Sequence, residues 1–303
     1  MHSVLTASDG REIKLFAWLP EQEVRYVMVL SHGMAEHIQR YETFALACNA
    51  AGIAVYGANH RGHGDDAEVL GHYADDDGWL KVIRDLDLII DTVAKRHIVP
   101  LILFGHSMGS FIAQQYAILH GSKLNGLILS GSNYQNPIMY KLASLVSRVE
   151  KFRIGGRAPS PFLDFVSFGA FNSKFKPNRT PSDWLSRDPK QVDKYINDDY
   201  CGFACSPQFW LDFMSGLINI SQKSEIAKIP NQLPIYIFSG DKDPVGLQGK
   251  GVLALEQHIA NNGCQQVQRK LYSGGRHEML NESNANEVFS DVIDWITSKI
   301  TSS

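Results

Sequence analysis

"LILFGHSMGSFIAQQYAILHG", residues 101–121, joins an apolar run to a helical pattern through a serine set among glycines, Gly105-x-Ser107-x-Gly109. "PLILF" is a strand candidate, Gly105 to Gly109 form the turn, and Met108, Phe111, Ile112, Gln115 and Leu119 mark one face of the following helix. A strand that runs into a helix through a turn too tight for side chains is the setting that lifts a serine hydroxyl out as a nucleophile. The helix start adds backbone N–H groups and the positive end of its dipole where an oxyanion would develop. Glycine-rich strand-to-helix turns also occur in α/β folds that do no chemistry, so Ser107 needs partners elsewhere in the chain.

The rest of the chain repeats the same grammar. Apolar runs recur at "YVMVLSH" (26–32), "IAVYGAN" (53–59), "GLILSG" (126–131), "PIYIFSG" (234–240) and "RKLYSG" (269–274), each ending in small or polar residues. Near-continuous apolar strands are what a parallel sheet buried on both faces requires. Between most of them lie helical stretches. "YETFALACNAAG" ends at Gly52, a C-cap candidate, and residues 77–97 place Trp79, Val82, Ile83, Leu86, Ile89, Ile90 and Val93 on one face. Two alternating runs, "SVLTAS" and "EIKLFAW", flank Asp9-Gly10 and predict an antiparallel hairpin at the sheet edge. The class is therefore α/β, with a mostly parallel sheet and an N-terminal antiparallel hairpin.

One interval breaks the rhythm. From 131 to 230 helical and proline-containing pieces alternate without a clear strand, which predicts a helical cap inserted into a core made of 1–130 and 231–303. Residues 131–215 hold 15 of the chain's 31 aromatic residues. Most are expected to form the cap's own small core, the remainder an apolar entrance to the site below.

The length of 303 residues, 44% apolar, suffices for one large α/β core. A formal net charge of −3 argues against a general nucleic-acid binder. The N-terminus does not read as a signal peptide, and no apolar run approaches the ~20 residues of a membrane helix. Cys48, Cys201, Cys205 and Cys264 are expected to be reduced thiols, and the protein soluble and cytoplasmic. Residues 131–194 carry 11 Lys/Arg against 5 Asp/Glu. A basic, aromatic cap suits transient peripheral contact with an anionic lipid surface; a solvated cap face is the plainer reading.

A serine nucleophile needs a base and an orienting carboxylate, expected after later strands in the order serine, acid, histidine. "DKDPV" follows one strand and offers Asp241 and Asp243; "GRHEML" follows the next and offers His277 on a glycine-containing loop. Asp243 is preferred, since Asp241 lies closer to the strand end and could simply bond the turn. "SHGMAEH" follows the first long strand and supplies a second oxyanion donor, so the expected amides are those of Met34 and Met108. His60 and His63, near Asp65 and Asp66, have a spacing a metal could use but read as shaping a glycine-rich turn. Cys201 and Cys205 lack a second Cys/His pair nearby, so no metal is expected there. His32 and His106 are expected to hydrogen-bond loops rather than titrate.

Taken together, "HGMAEHIQRYETFA", "ANHRGHGDD", "GHSMGS", "SGDKDPV" and "GGRHEMLNE" resemble the monoacylglycerol lipase and lysophospholipase branch of the α/β-hydrolases, sometimes grouped with serine aminopeptidases. The similarity runs over nearly all the chain and is weakest in the cap. The resemblance implies an eight-stranded sheet under a mobile cap, and hydrolysis of a small-molecule carboxylic ester through an acyl-serine, without cofactor. It places nucleophile, acid and base on Ser107, Asp243 and His277, the oxyanion amides on Met34 and Met108, and a buttress of the oxyanion loop on Glu36 and Arg40. A short-chain carboxylesterase or an aminopeptidase on the same scaffold, or a binding protein that kept the fold, are the competing expectations.

Overall fold

The computed structural model describes residues 2–300. Eight strands form one sheet: β1 (His2–Thr6), β2 (Glu12–Trp18), β3 (Tyr26–Ser31), β4 (Ile53–Ala58), β5 (Leu101–His106), β6 (Gly126–Ser130), β7 (Ile235–Gly240) and β8 (Val267–Tyr272). Their spatial order is β1-β2-β4-β3-β5-β6-β7-β8. The β1–β2 and β2–β4 pairs are antiparallel and every other pair is parallel. This is the mostly parallel sheet with an N-terminal hairpin that the strand pattern predicts, with the eight strands that the resemblance implies. The hairpin turns at Gly10, whose φ of +86° only glycine adopts freely.

The apolar runs are explained by two cores, one on each face of the sheet. Val27, Val29, Leu101, Leu103, Leu127, Leu129, Ile235 and Ile237 pack on one side. The alternating residues Met28, Leu30, Ile102, Phe104, Ile128, Tyr236 and Phe238 pack on the other. The period of two sends successive side chains to opposite faces, so a strand covered on both must be apolar throughout. On the second face lie α1 (Glu42–Ala50) and the C-terminal helix, α10 (Ala285–Lys299). On the first lie α2 (Gly78–Arg96), α3 (Met108–His120), α7 (Pro207–Ile220) and α9 (Lys250–Ala260). The seven apolar residues expected to face inward on α2 are all buried. Gly52 takes φ +77° just beyond α1, as a C-cap glycine should.

The helix α3 corrects its expectation in one respect. Leu119, assigned to the inward face, is 47% exposed, while Ala113, Tyr116, Ala117 and Ile118 are buried. The helix is covered by the sheet, by α2 and by α7, so it has no solvent face until its last turn.

Between β6 and β7 the described residues form helices without a strand: α4 (Pro137–Ile154), α5 (Pro161–Phe168), α6 (Pro189–Ile196), α7 and the short α8 (Lys223–Ile226). Four of them start alike. Asn136, Ser160, Asp188 and Ser206 each accept a first-turn amide hydrogen bond, and proline follows at the first helical position. α7 belongs physically to the main core, since Phe209, Phe213 and Leu217 pack with residues of α2 and α3.

Candidate active site

The order of strands reverses at β3, which lies between β4 and β5, and the loops leaving β3 and β5 meet beyond their carboxyl ends. Ser107 sits on the β5–α3 turn with φ +50° and ψ −119°. Such a backbone costs about 1–3 kcal/mol and persists only where the surroundings enforce it. Here its N–H donates to the Ser130 carbonyl at 2.9 Å and its carbonyl accepts from the Ser110 amide (2.9 Å) and hydroxyl (2.6 Å). The flanking glycines are a matter of space. A Cβ on Gly105 would lie 2.4 Å from the Gly109 carbonyl oxygen, and one on Gly109 2.0 Å from the Ser31 carbonyl oxygen.

The two later residues form a buried pair. His277 Nδ1 lies 3.0 Å from Asp243 Oδ1, and both side chains are nearly inaccessible. Asp243 is fixed further by the Ser239 hydroxyl (2.7 Å, to Oδ2) and the Val245 amide (2.8 Å, to Oδ1). Burial opposes ionisation of Asp243, but the His277 charge and these donors more than offset it, holding the carboxyl below its ordinary value. Burial likewise disfavours the His277 cation, and the Asp243 carboxylate outweighs it, so His277 titrates above an ordinary histidine. Asp241 is engaged elsewhere: its Oδ1 accepts the Gly274 amide at 2.8 Å, as a turn-bonding residue would.

The loop after β3 closes on Ser107. A Cβ built on Gly33 would be 3.3 Å from the Ser107 Cβ, and the Gly33 amide donates to Glu36 Oε1 at 2.6 Å. Met34 and Met108 line the same cavity as Ser107 and His277. Met108 is the first residue of α3, so its N–H has no carbonyl partner within the helix. Arg40 ties this loop to the histidine loop. It bonds Glu36 Oε2 at 2.5 Å and both carboxylate oxygens of Glu278 at 2.8 and 2.7 Å, with all three side chains buried or nearly so. In each glutamate burial opposes ionisation and Arg40 overrides it, keeping both carboxyls below their ordinary value.

The cavity measures about 550 Å³. Phe111, Phe165, Phe168, Phe171, Trp184 and Trp210 line it, with the Trp184 and His277 rings 5.1 Å apart. The volume and aromatic lining suit a largely apolar small molecule.

The model of the serine aminopeptidase family S33 matches residues 22–284. The chain belongs to this family. It is 29% identical over 297 residues to the monoacylglycerol lipase of Mycolicibacterium smegmatis, an alignment spanning 96% of this chain and 95% of that protein. Among solved structures it superposes on a thermostable carboxyl esterase from Bacillus coagulans, crystallised with glycerol, at a TM-score of 0.91, 29% identity and 99% coverage of each chain. A lipase in its open form matches at 0.88, 27% identity and 99% coverage of each. The protein is a hydrolase with the α/β-hydrolase fold.

In this S33 hydrolase burial disfavours the cations of His32, His60, His63 and His106. Burial pushes His32 and His63 down to about 3 and His106 down to about 4. His32 Nδ1 bonds the Gly33 carbonyl (2.8 Å) and its Nε2 accepts the His60 amide (3.0 Å), so the ring braces the loop. His60 bonds the Ser31 hydroxyl, and His63 the Arg61 carbonyl. Asp65 pairs with Lys14, while Asp66 accepts from Asn59 and lies near Arg11, so these groups shape the turn as expected. Glu278 is the site residue that sequence reasoning missed. Its position next to His277 was visible, but its partner lies 238 residues away.

Proposed function

We propose that this hydrolase cleaves carboxylic esters of single-chain lipids, monoacylglycerols or lysophospholipids, through an acyl-Ser107 intermediate. The observation that carries the reading is that Ser107 and the His277 of the buried His277–Asp243 pair line one aromatic cavity. The mycobacterial relative, a monoacylglycerol lipase, supports the substrate class. Ser107 Oγ attacks the ester carbonyl while His277 takes its proton. The resulting oxyanion is met by the amides of Met34 and Met108. Collapse expels the alcohol, which receives its proton from His277, and a water activated by the same imidazole then releases the acid. Asp243 keeps the ring in the tautomer this needs and stabilises its cation.

The helical segment 131–230 acts as the cap over this cavity. Three carboxylates line the cavity, and Arg40 pairs with two of them, Glu36 and Glu278. Asp164 is the third, and burial pushes its carboxyl up. In a series of p-nitrophenyl esters, kcat/KM rises from acetate toward medium and long chains, by at most about fourfold per buried methylene. A sharp optimum at acetate would replace this reading with a short-chain carboxylesterase.

The cap also carries the means to meet such substrates at a lipid surface. Ile138, Met139, Leu142, Leu145, Val149 and Phe152 are exposed along one face of α4, and Phe162, Phe165 and Val166 are exposed on α5. Phe165 is 73% exposed and also lines the cavity, which links the patch to the site. Among the described residues no helix is long and apolar enough to cross a membrane. The protein should therefore cosediment with anionic vesicles, less so as salt rises. Absence of salt-sensitive binding would remove the lipid surface as a docking partner.

A further inference from the structure

Behind the oxyanion loop three side chains of unlike chemistry converge. The donor atoms of His37, Asp198 and Cys201 all lie within 4.8 Å of one another. His37 comes from the loop after β3, three residues beyond Met34; Asp198 and Cys201 come from the loop after α6. His37 Nε2 is 2.8 Å from Asp198 Oδ2, and the other Asp198 oxygen is fixed by the Tyr200 amide at 2.9 Å. The loops are joined by main chain as well. The Cys201 amide donates to the Asp198 carbonyl (3.0 Å), and the Gly202 amide to the Ala35 carbonyl (2.9 Å). His37 is buried, yet its Nδ1 has no hydrogen-bond partner among the described residues. A buried polar atom left unpaired is a cost that a native structure rarely accepts without use.

We propose that His37, Asp198 and Cys201 form a binding site for a borderline-soft divalent cation of the zinc type. One thiolate, one imidazole and one carboxylate match the donors zinc prefers, whereas calcium and magnesium call for oxygen alone. Bond lengths of ~2.0–2.3 Å in a tetrahedron set ligand atoms roughly 3.3–3.7 Å apart. The His37–Asp198 contact opens slightly to reach this, and the longer separations close by about an ångström. On binding, the Cys201 sulfur exchanges its proton for the metal, the proton passing to solvent, and His37 coordinates through Nε2, whose proton, until then held against Asp198, shifts to the unpartnered Nδ1. Thiolate and carboxylate together balance the cation, and the neighbouring Arg40 is already held by Glu36 and Glu278. Solvent supplies the fourth ligand. The bound cation staples the helical segment to the loop that carries Met34. The pairing was invisible in sequence, because His37 and Asp198 are 161 residues apart.

The test is spectroscopic and does not depend on which ester the enzyme prefers. Protein stripped with a chelator and kept reduced is titrated with Co²⁺. One equivalent should produce a thiolate-to-cobalt charge-transfer band and visible tetrahedral d–d bands, both abolished by added Zn²⁺. Cys201→Ser should lose the charge-transfer band, Cys205→Ser should retain it, and His37→Gln should weaken binding about tenfold or more. Zn²⁺ should raise the thermal midpoint of the wild type and leave that of Cys201→Ser unchanged. Circular dichroism and ester turnover establish that each variant is folded. Absence of a saturable band in the wild type, or a band that survives Cys201→Ser, overturns the site.

Discussion

Ser107→Ala should lose turnover of p-nitrophenyl esters by about 10⁴-fold or more in kcat while leaving the fold and its thermal midpoint in place. The two outcomes separate because the turn is held by backbone. Its bonds to Ser130 and Ser110 run through the N–H and carbonyl of Ser107, and alanine keeps both. Only the hydroxyl is lost, and with it the atom that would carry the acyl group. Circular dichroism and a thermal melt alongside the assay make the reading clean. Full activity in the folded variant would remove Ser107 from the mechanism.

Asp243→Asn should be nearly as damaging, about 10⁴-fold in kcat, although it is isosteric. The carboxylate accepts from His277, Ser239 and Val245 at once. An amide brings an NH₂ into that acceptor set, so the imidazole turns to the wrong tautomer and its cation loses its counter-charge. Asp241→Asn supplies the comparison. Its task is to accept the Gly274 amide, which an asparagine oxygen also does, so activity should stay within a fewfold of wild type. The reverse pattern would move the acid to Asp241.

The sheet and the placement of Ser107, Asp243 and His277 beyond strand carboxyl ends were legible because their signals are local. Residues 101–104 alternate between the two cores, so every position is apolar and the run is visible as a strand. The glycines around Ser107 mark a turn, and each later polar group stands at a strand's carboxyl end. The signature of Asn, Ser or Asp before proline at four helix starts was also on the chain, and it locates the helices of the 131–230 segment. Other features depend on pairs remote in sequence. Arg40 with Glu278 and the covering of α3 by α7 follow from the assembled packing. The exposure of the apolar face of α4 belongs to the same group, since its pattern of Ile138, Leu142, Leu145 and Val149 is the one a buried helix shows. Periodicity identifies a stripe and is silent about what covers it.

The adjacency of β6 and β7 reaches beyond this one enzyme. Leu127 pairs with Ile235 and Ser130 with Phe238, so the long excursion between them departs from and returns to neighbouring rungs of one ladder. The energetic toll of closing such a detour grows only logarithmically with its contour. Descendants of this chain can lengthen, shorten or exchange the outer helices α4 to α6 while the ladder keeps its register. What the catalyst accepts is thereby free to drift while the chemistry stands still.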